Sequence, residues 1–282
     1  MQDSIHIKNP AVLERKIQIF KQGGAKSLHV VSDFDRTLTK LNVNGEKVLS
    51  AYWIIRKYEY LSPDYAKRAF AMADKYHPIE KDPDLPIEEK SRRMVEWWHE
   101  HMDLLIECGM TQQVIDDIVK RRLLQGRRGL ADFLNHFAEC NVPLLIFSAG
   151  IGNFIEQYLS HEKLMSPNIH IIANMYAFDK EGKLTGYASD QIIHPFNKNE
   201  VSISKSTHHQ EISRRKNVVL LGDSLGDPNM ADGLDHDEVL RIGFLNEDIE
   251  KLLPAYEKAY DVVILNDGTM EYPIELAKRI LE

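Results

Sequence analysis

Cysteine is scarce in this chain. Cys108 and Cys140 are the only two in 282 residues, so no disulfide framework is in evidence and a reducing compartment is expected. Each stands in a helical, partly apolar stretch, where a packed thiol is expected rather than a reactive one. Long apolar runs are missing as well: none approaches the roughly 20 residues of a membrane helix. Glu14, Arg15 and Lys16 interrupt the region where a signal-peptide core would lie. Nor is there a surplus of positive charge. Thirty-five Lys and Arg against 43 Asp and Glu leave a formal net charge of -8, which argues against a nucleic-acid polymer as partner but not against a mononucleotide, since a local cation can reverse the field at a site. Internal repeats and low-complexity tracts are absent. These exclusions point to a cytoplasmic protein with no membrane association, and a monomer is expected.

What is present is an ordinary globular mixture, 43% hydrophobic and 28% charged, long enough for a large core and more than one domain. Its most informative stretch is Asp33-Phe34-Asp35-Arg36-Thr37, which follows the apolar run Leu28-His29-Val30-Val31. Such a run reads as a short buried strand, and ligands of open α/β sheets bind at the carboxyl ends of strands. Alternation puts the side chains of Asp33 and Asp35 on the same side. Two carboxylates that close repel unless a cation or a proton stands between them. Mg²⁺ suits such a pair, because it takes hard oxygen ligands and keeps waters that a phosphate can displace. One carboxylate is then placed to attack phosphorus while the other moves a proton. The pair alone is compatible with a solvated turn, since short motifs match by chance.

Three further segments change that balance. Phe147-Ser148-Ala149-Gly150 follows the apolar run Val142 to Ile146; Lys198 lies in His194-Pro195-Phe196-Asn197-Lys198; and Gly222-Asp223-Ser224-Leu225-Gly226-Asp227 follows Val218 to Leu221. A helix is expected from Asn9 to Gln22, stopped by Gly23-Gly24. From about Leu41 strand signals vanish and helical patterns span Val48 to Tyr60, Asp64 to His77, Ile87 to Glu107 and Thr111 to Leu124, punctuated by prolines and Gly109. Strands return at Val142 to Phe147, Ile169 to Ala173, Val218 to Leu221, Glu238 to Phe244 and Val262 to Leu265, mostly separated by helices, the pattern of a parallel sheet. A hairpin is expected over Met175 to Tyr187 with its turn at Asp179-Lys180-Glu181-Gly182. The expected architecture is therefore α/β: a Rossmann-like parallel sheet formed by residues 1–40 and 125–282, with a helical block inserted at 41–124 beside the Asp pair, either a cap domain over it or an independent structural domain.

The four ordered motifs resemble those of the haloacid dehalogenase-like phosphatases. Val31 to Thr39, Glu88-Glu89-Lys90, Met94-Val95-Glu96-Trp97-Trp98, Ile146 to Gly152, Phe196-Asn197-Lys198, Leu220 to Asp227 with Met230-Ala231-Asp232-Gly233, and Gly243 to Asn246 are similar to one family in particular. That family is the cytosolic 5′-nucleotidases of type III, which includes enzymes for pyrimidine nucleotides and for 7-methylguanosine phosphate. The likeness spans nearly the whole chain from Leu28. It implies a Mg²⁺-dependent phosphatase whose partner is a small nucleoside 5′-monophosphate. By this resemblance Asp33 is the nucleophile that forms an aspartyl-phosphate, and Asp35 is the general acid and base. Asp33, Asp223 and the backbone carbonyl of Asp35 bind the metal, Asp227 supports them, and Ser148, Ala149 and Lys198 hold the phosphoryl group. Lys198 is chosen over Lys205 by its Phe-Asn-Lys context. Taken alone, Ser148 reads as a helix N-cap, with Gly150 and Gly152 opening the helix, and a lone Lys reads as a solvated charge.

The resemblance also assigns Glu96, Trp97 and Trp98 to the substrate nucleoside. Successive helix positions diverge by about 100°, so only one of the two tryptophans is expected to face a given pocket. The Trp-Trp pair is closer to the 7-methylguanosine branch, whose cationic base favours an indole face. However, His99-Glu100-His101-Met102 departs from both branches, with Met102 where a histidine is usual. His99 and His101 are expected to be solvated. Two alternatives stay open: another small-molecule phosphatase acting on phosphoserine or a sugar phosphate, and a catalytically silent scaffold on the same fold.

Overall fold

The computed structural model describes residues 5–201 and 207–282; Lys205 lies outside the described residues. In chain order the strands are β1 (Ile5–Ile7), β2 (Leu28–Ser32), β3 (Asn42–Val43), β4 (Glu46–Lys47), β5 (Leu144–Ile151), β6 (Ile169–Asn174), β7 (Tyr176–Phe178), β8 (Leu184–Tyr187), β9 (Asn217–Gly222), β10 (Glu238–Leu245) and β11 (Val262–Leu265). The helices are α1 (Pro10–Ser27), α2 (Ala51–Lys57), α3 (Tyr65–Lys81), α4 (Ile87–Glu107), α5 (Gln112–Lys120), α6 (Leu130–Glu139), α7 (Gly152–His161), α8 (Thr207–Ile212), α9 (Ile249–Ala259) and α10 (Glu271–Leu281).

Seven strands form one sheet in the order β1-β11-β10-β9-β2-β5-β6. All neighbours are parallel except β1, a short antiparallel edge beside β11. The apolar runs make sense here. A strand at the centre of a helix-covered parallel sheet is buried on both faces, and every residue of β2 and β9 is buried. Leu28 and Val30 point into a core shared with α1, α6, α7 and α10. Val31, Val218 and Leu220 point to the opposite face, toward Tyr256 of α9 and Tyr260 just beyond it. The motif segments follow from this placement: β2 and β9 lie side by side and β5 is the other neighbour of β2, so their carboxyl ends form one edge.

Helices α2 to α6 intervene between β2 and β5, the first four of them within residues 41–124, and α3 packs on α4. Apolar periodicity explains them: Val114, Ile115, Ile118 and Val119 form the buried stripe of α5. The hairpin β7-β8 packs against α4, where Tyr187 Oη donates to the Trp98 carbonyl at 3.0 Å.

Several local expectations need correction. Gly23-Gly24 does not end α1. It kinks the helix at Gly24, φ 60°, and the helical segment resumes to Ser27. Strand structure does not vanish after Leu41, because β3 and β4 pair as a small hairpin around Gly45, φ 84°. Pro78 lies inside α3 rather than beyond it. The terminal strand β1 had no pattern long enough to register as one.

Candidate active site

Asp33 follows β2 directly, and its backbone N–H donates to the Leu221 carbonyl of β9 at 3.0 Å. The chain then turns, with Arg36 in the left-handed region, φ 59°. A cavity of about 290 Å³ opens at this edge, lined among others by Asp33, Asp35, Arg36, Ser148, Lys198, Asp223 and Asp227. Three of the sheet-edge segments and the Lys198 segment thus meet in one hollow.

Lys198 joins the acids. Its Nζ donates to Asp33 Oδ1 at 2.5 Å and to Asp227 Oδ1 at 3.1 Å, and all three side chains are buried. Burial opposes the lysine charge, but Asp227 and Asp33 beside it hold its pKa above the ordinary value. Asp227 spends its other oxygen on the turn that carries Asp223, accepting from the N–H groups of Asp223 and Ser224 at 3.0 and 2.9 Å. A glycine is required just before that turn: a Cβ at Gly222 would stand 2.3 Å from the Asp227 Cβ. Tyr256 of α9 and Tyr260 just beyond it cap the same turn through the carbonyls of Asp223 and Ser224. Thr37 Oγ1 donates to Asp33 Oδ2 at 3.2 Å.

Ligand oxygens of Asp33, Asp223 and Asp227 lie within 4.8 Å of one another. An all-carboxylate set matches a hard divalent cation rather than a softer metal. Burial pushes Asp223 up to about 7 against the pull of Arg36, whose guanidinium pairs with it at 3.0 Å. Arg36 is itself part-exposed, 38% at its side chain. Asp33 is likewise raised by burial, with Lys198 pulling against it. An acidic cluster this strained for charge fits a bound cation.

Asp35 stands outside that cluster. Its Oδ1 is buried without a hydrogen-bond partner among the described residues, and burial with Asp33 nearby pushes its pKa up to about 8. A carboxyl in that state holds a proton at neutral pH and has it to give.

Ser148 and Ala149 lie inside β5, and α7 begins only at Gly152 with no side-chain cap at Ile151. Ser148 is therefore not an N-cap, and Gly150 belongs to the strand rather than the helix start. Ser148 Oγ accepts from the Gly150 N–H at 3.0 Å. A Cβ at Gly150 would press to 3.2 Å from Asp35 Oδ2 and Ser148 Oγ, so the backbone approaches the acid closely here. Asn174 fixes this segment: its Nδ2 donates to the carbonyls of Ala149 and Ile193, both at 2.8 Å.

The helical insertion contributes Tyr52, Glu80 and Trp98 to the same hollow, and Trp98 Nε1 donates to the Ala149 carbonyl at 3.3 Å. A second cavity of about 100 Å³ adjoins it, lined by Tyr52, Arg56, Ala69, Trp97, Trp98 and His101. Both tryptophans therefore line one pocket, contrary to the divergence expected of neighbours on a helix. Their rings meet edge to face at 5.4 Å, and the reach of the indoles overcomes the difference in backbone direction. His101 is not solvated either. It bonds Tyr65 Oη at 3.0 Å, and burial, with Arg56 nearby, holds its pKa down to about 3. Met102 is buried. Glu96 lines neither cavity; it accepts from Tyr76 Oη at 2.9 Å and from Arg93 Nη1 at 2.6 Å. Tyr76 stacks on Trp97 at 5.4 Å.

Sequence reasoning missed Arg127. This buried guanidinium donates to the carbonyls of Thr37 and Gly268 at 2.7 and 2.6 Å and to Asn246 Oδ1 at 2.8 Å, and it lies over the Phe244 ring at 4.1 Å. It pins the turn after the Asp pair to the loops beyond β10 and β11. No local pattern marks an Arg whose partners come from three distant segments. Glu200 was missed too. Fully buried, it accepts from His29 and His236 at 3.0 and 2.8 Å, tying the Lys198 segment to β2 and to the loop before β10.

Comparison with known proteins agrees with this geometry. The signature of the family described as Pyrimidine 5′-nucleotidase (UMPH-1) matches residues 36–281. A 7-methylguanosine phosphate-specific 5′-nucleotidase B of Xenopus laevis is 37% identical over 270 residues, covering 95% of this chain and 93% of that one. The crystal structure of cytosolic 5′-nucleotidase IIIB bound to cytidine superposes with a TM-score of 0.87 at 32% identity, over 99% of this chain and 94% of that one. A haloacid dehalogenase-family hydrolase from Salmonella enterica serovar Typhi shares the fold at a TM-score of 0.60 and 14% identity, over 96% of this chain and 81% of that one.

Proposed function

The chain belongs to the pyrimidine 5′-nucleotidase family, and from that premise we propose that it hydrolyses nucleoside 5′-monophosphates, a pyrimidine nucleotide such as CMP or UMP or else 7-methyl-GMP, to nucleoside and orthophosphate. The observation that carries this reading is the meeting of Asp33, Asp223, Asp227 and Lys198 in a hollow that continues into an aromatic cavity on the helical insertion. Phosphate and nucleoside each find chemistry that suits them in adjoining spaces.

Asp33 attacks phosphorus in line, and the ester bond to the ribose oxygen breaks as the Asp33–phosphorus bond forms. Asp35, holding its proton, gives it to the departing ribose oxygen. Asp35 then takes a proton from the water that cleaves the aspartyl-phosphate and releases orthophosphate. Lys198 balances charge on the transferring group and holds Asp33 in line. Ser148 Oγ and the backbone around Ala149 contact the phosphoryl oxygens. Asp33, Asp223 and the Asp35 carbonyl would hold Mg²⁺, with Asp227 orienting Lys198 and the Asp223 turn. When bound, the ion neutralises charge that otherwise repels the phosphate dianion.

Residues 41–124 serve in this proposal as a cap over the catalytic domain of residues 1–40 and 125–282, closing on substrate and excluding water. Trp97 and Trp98 contact the base. Glu96 acts on the nucleoside in this proposal through Tyr76, whose hydroxyl it accepts from and whose ring stacks on Trp97. A monomer in the cytoplasm completes the reading. The test is orthophosphate release from CMP, UMP, 7-methyl-GMP, phosphoserine and a hexose phosphate with Mg²⁺, for the wild type and Asp33→Asn. Nucleotide turnover that the variant abolishes is the expected result. Preference for phosphoserine or hexose phosphate, or wild-type rates in the variant, refutes the proposal.

A further inference from the structure

The 100 Å³ cavity beside the catalytic hollow is aromatic, yet one of its walls is a fixed cation. Arg56 is part-buried on α2, and its Nε donates to the Tyr52 carbonyl at 3.3 Å. Its guanidinium carbon stands 5.6 Å from the exposed Phe70 ring. Among the described residues no carboxylate pairs with it, and neither of its Nη atoms has a hydrogen-bond partner. The other wall residues offer no compensation. Tyr52 Oη is engaged by Tyr176 Oη at 3.0 Å, and His101 is engaged by Tyr65. Arg56 is thus the only charged side chain among the described residues lining this cavity, with up to four N–H donors unspent.

We propose that Arg56 is a specificity-determining residue that selects a neutral base carrying a carbonyl acceptor, as cytosine and uracil do at O2, and rejects the cationic 7-methylguanine ring. This deepens the nucleotidase reading and rests on it for the identity of the ligand. The physical reason is charge. Both rings carry a carbonyl that can accept from the unpaired donors, O2 in the pyrimidines and O6 in 7-methylguanine, so acceptance alone does not separate them. A positive ring placed against a guanidinium in a partly dry cavity meets repulsion that water and salt screen little. The tryptophans attract either base through their faces, so stacking alone does not discriminate, and the charge on the wall decides.

Binding of the free nucleosides separates this inference from catalysis. Cytidine and 7-methylguanosine are titrated by calorimetry into wild-type protein, Arg56→Gln and Arg56→Lys, with thermal melts confirming that each variant is folded. The wild type is expected to bind cytidine at least about tenfold more tightly, a difference of about 1.4 kcal/mol. Arg56→Gln is expected to erase most of that ratio, while Arg56→Lys, which keeps the charge, holds it within about threefold. A wild-type preference for 7-methylguanosine, or binding of neither nucleoside, overturns the inference without any variant. So does a ratio that Gln and Lys shift equally, or that neither shifts. Because no phosphate is released in this experiment, failure of the phosphatase reading shows only in the orthophosphate assay and leaves the binding ratios to stand or fall by themselves.

Discussion

Asp35 offers a perturbation whose effects on stability and activity have opposite signs. Its carboxyl has one oxygen buried with no partner and a pKa pushed up to about 8 by burial and by Asp33. In the unfolded chain the same group titrates near 3.8. The folded state therefore binds the extra proton between those values, and stability falls as pH rises from about 4 to about 8. At pH 7 that is roughly three units at about 1.4 kcal/mol each, an upper bound near 4 kcal/mol; screening at this half-buried group trims it to roughly 2–4 kcal/mol. Asp35→Asn removes the penalty and keeps the shape. In EDTA at pH 7 the variant is expected to resist urea better than wild type by that margin, and the gap is expected to close as pH falls toward 4. Turnover with Mg²⁺ is expected to drop by about 10²–10⁴, the usual worth of a general acid. Urea unfolding at a series of pH values, paired with orthophosphate release at saturating substrate, measures both. A variant no more stable than wild type at pH 7, or a pH-independent gap, refutes the electrostatic argument. Undiminished turnover refutes the proton-donor role.

Lys198→Met strands Asp33 and Asp227 without their shared cation. It is expected to cost about 3–5 kcal/mol in EDTA and at least about 10² in turnover; a melting temperature equal to wild type contradicts the ion-pair reading. Glu200→Gln replaces an acceptor of three hydrogen bonds, from His29, His236 and the Leu234 N–H, and is expected to cost about 2–4 kcal/mol by urea unfolding. Hydrogen bonds from the two histidines outweigh burial and hold Glu200 down to about 2 against its ordinary 4.5. Its stabilisation is thus present above pH 4.5 and lost as pH falls toward 2, and the variant should show a shallower acid transition.

The central sheet was legible because strands buried on both faces are dominated by apolar residues, as Val218–Leu221 is throughout and Leu28–Val31 is apart from His29, whose Nε2 is hydrogen-bonded to Glu200. The polar residues that follow such runs then have nowhere to go but the sheet edge. That logic located Asp33, Ser148 and Asp223 without any structure. It could not reach Arg127, Glu200 or Arg56, because each is defined by partners, or by the lack of them, far away in the chain. His101 and Trp97 show the same limit. On helix α4 taken by itself they point away from one another or into water. Only Tyr52, Tyr65 and Ala69, arriving from other helices, close a pocket over them.

The charges in the hollow bear on what it is built to receive. Asp33, Asp35, Glu80, Asp223 and Asp227 line it together with Lys198 and Arg36. With Asp35 protonated, four carboxylates face two cations and the site is left with net negative charge. A phosphate dianion entering that field would be repelled. A divalent ion held by Asp33 and Asp223 would cancel that charge and let the same residues receive an anion. Arg36, paired with Asp223 at 3.0 Å, would then be available as one more donor for phosphoryl oxygens. Metal and substrate are then expected to bind with positive coupling, each preparing the charge that the other needs. Orthophosphate affinity measured across a Mg²⁺ titration reads this directly: it should rise with the ion. The coupling should shrink in Arg36→Met, which no longer has a guanidinium to hand over. Orthophosphate binding that ignores Mg²⁺ would show that the carboxylates and cations of this edge balance without help, and the case for a metal in the hollow would fall with it.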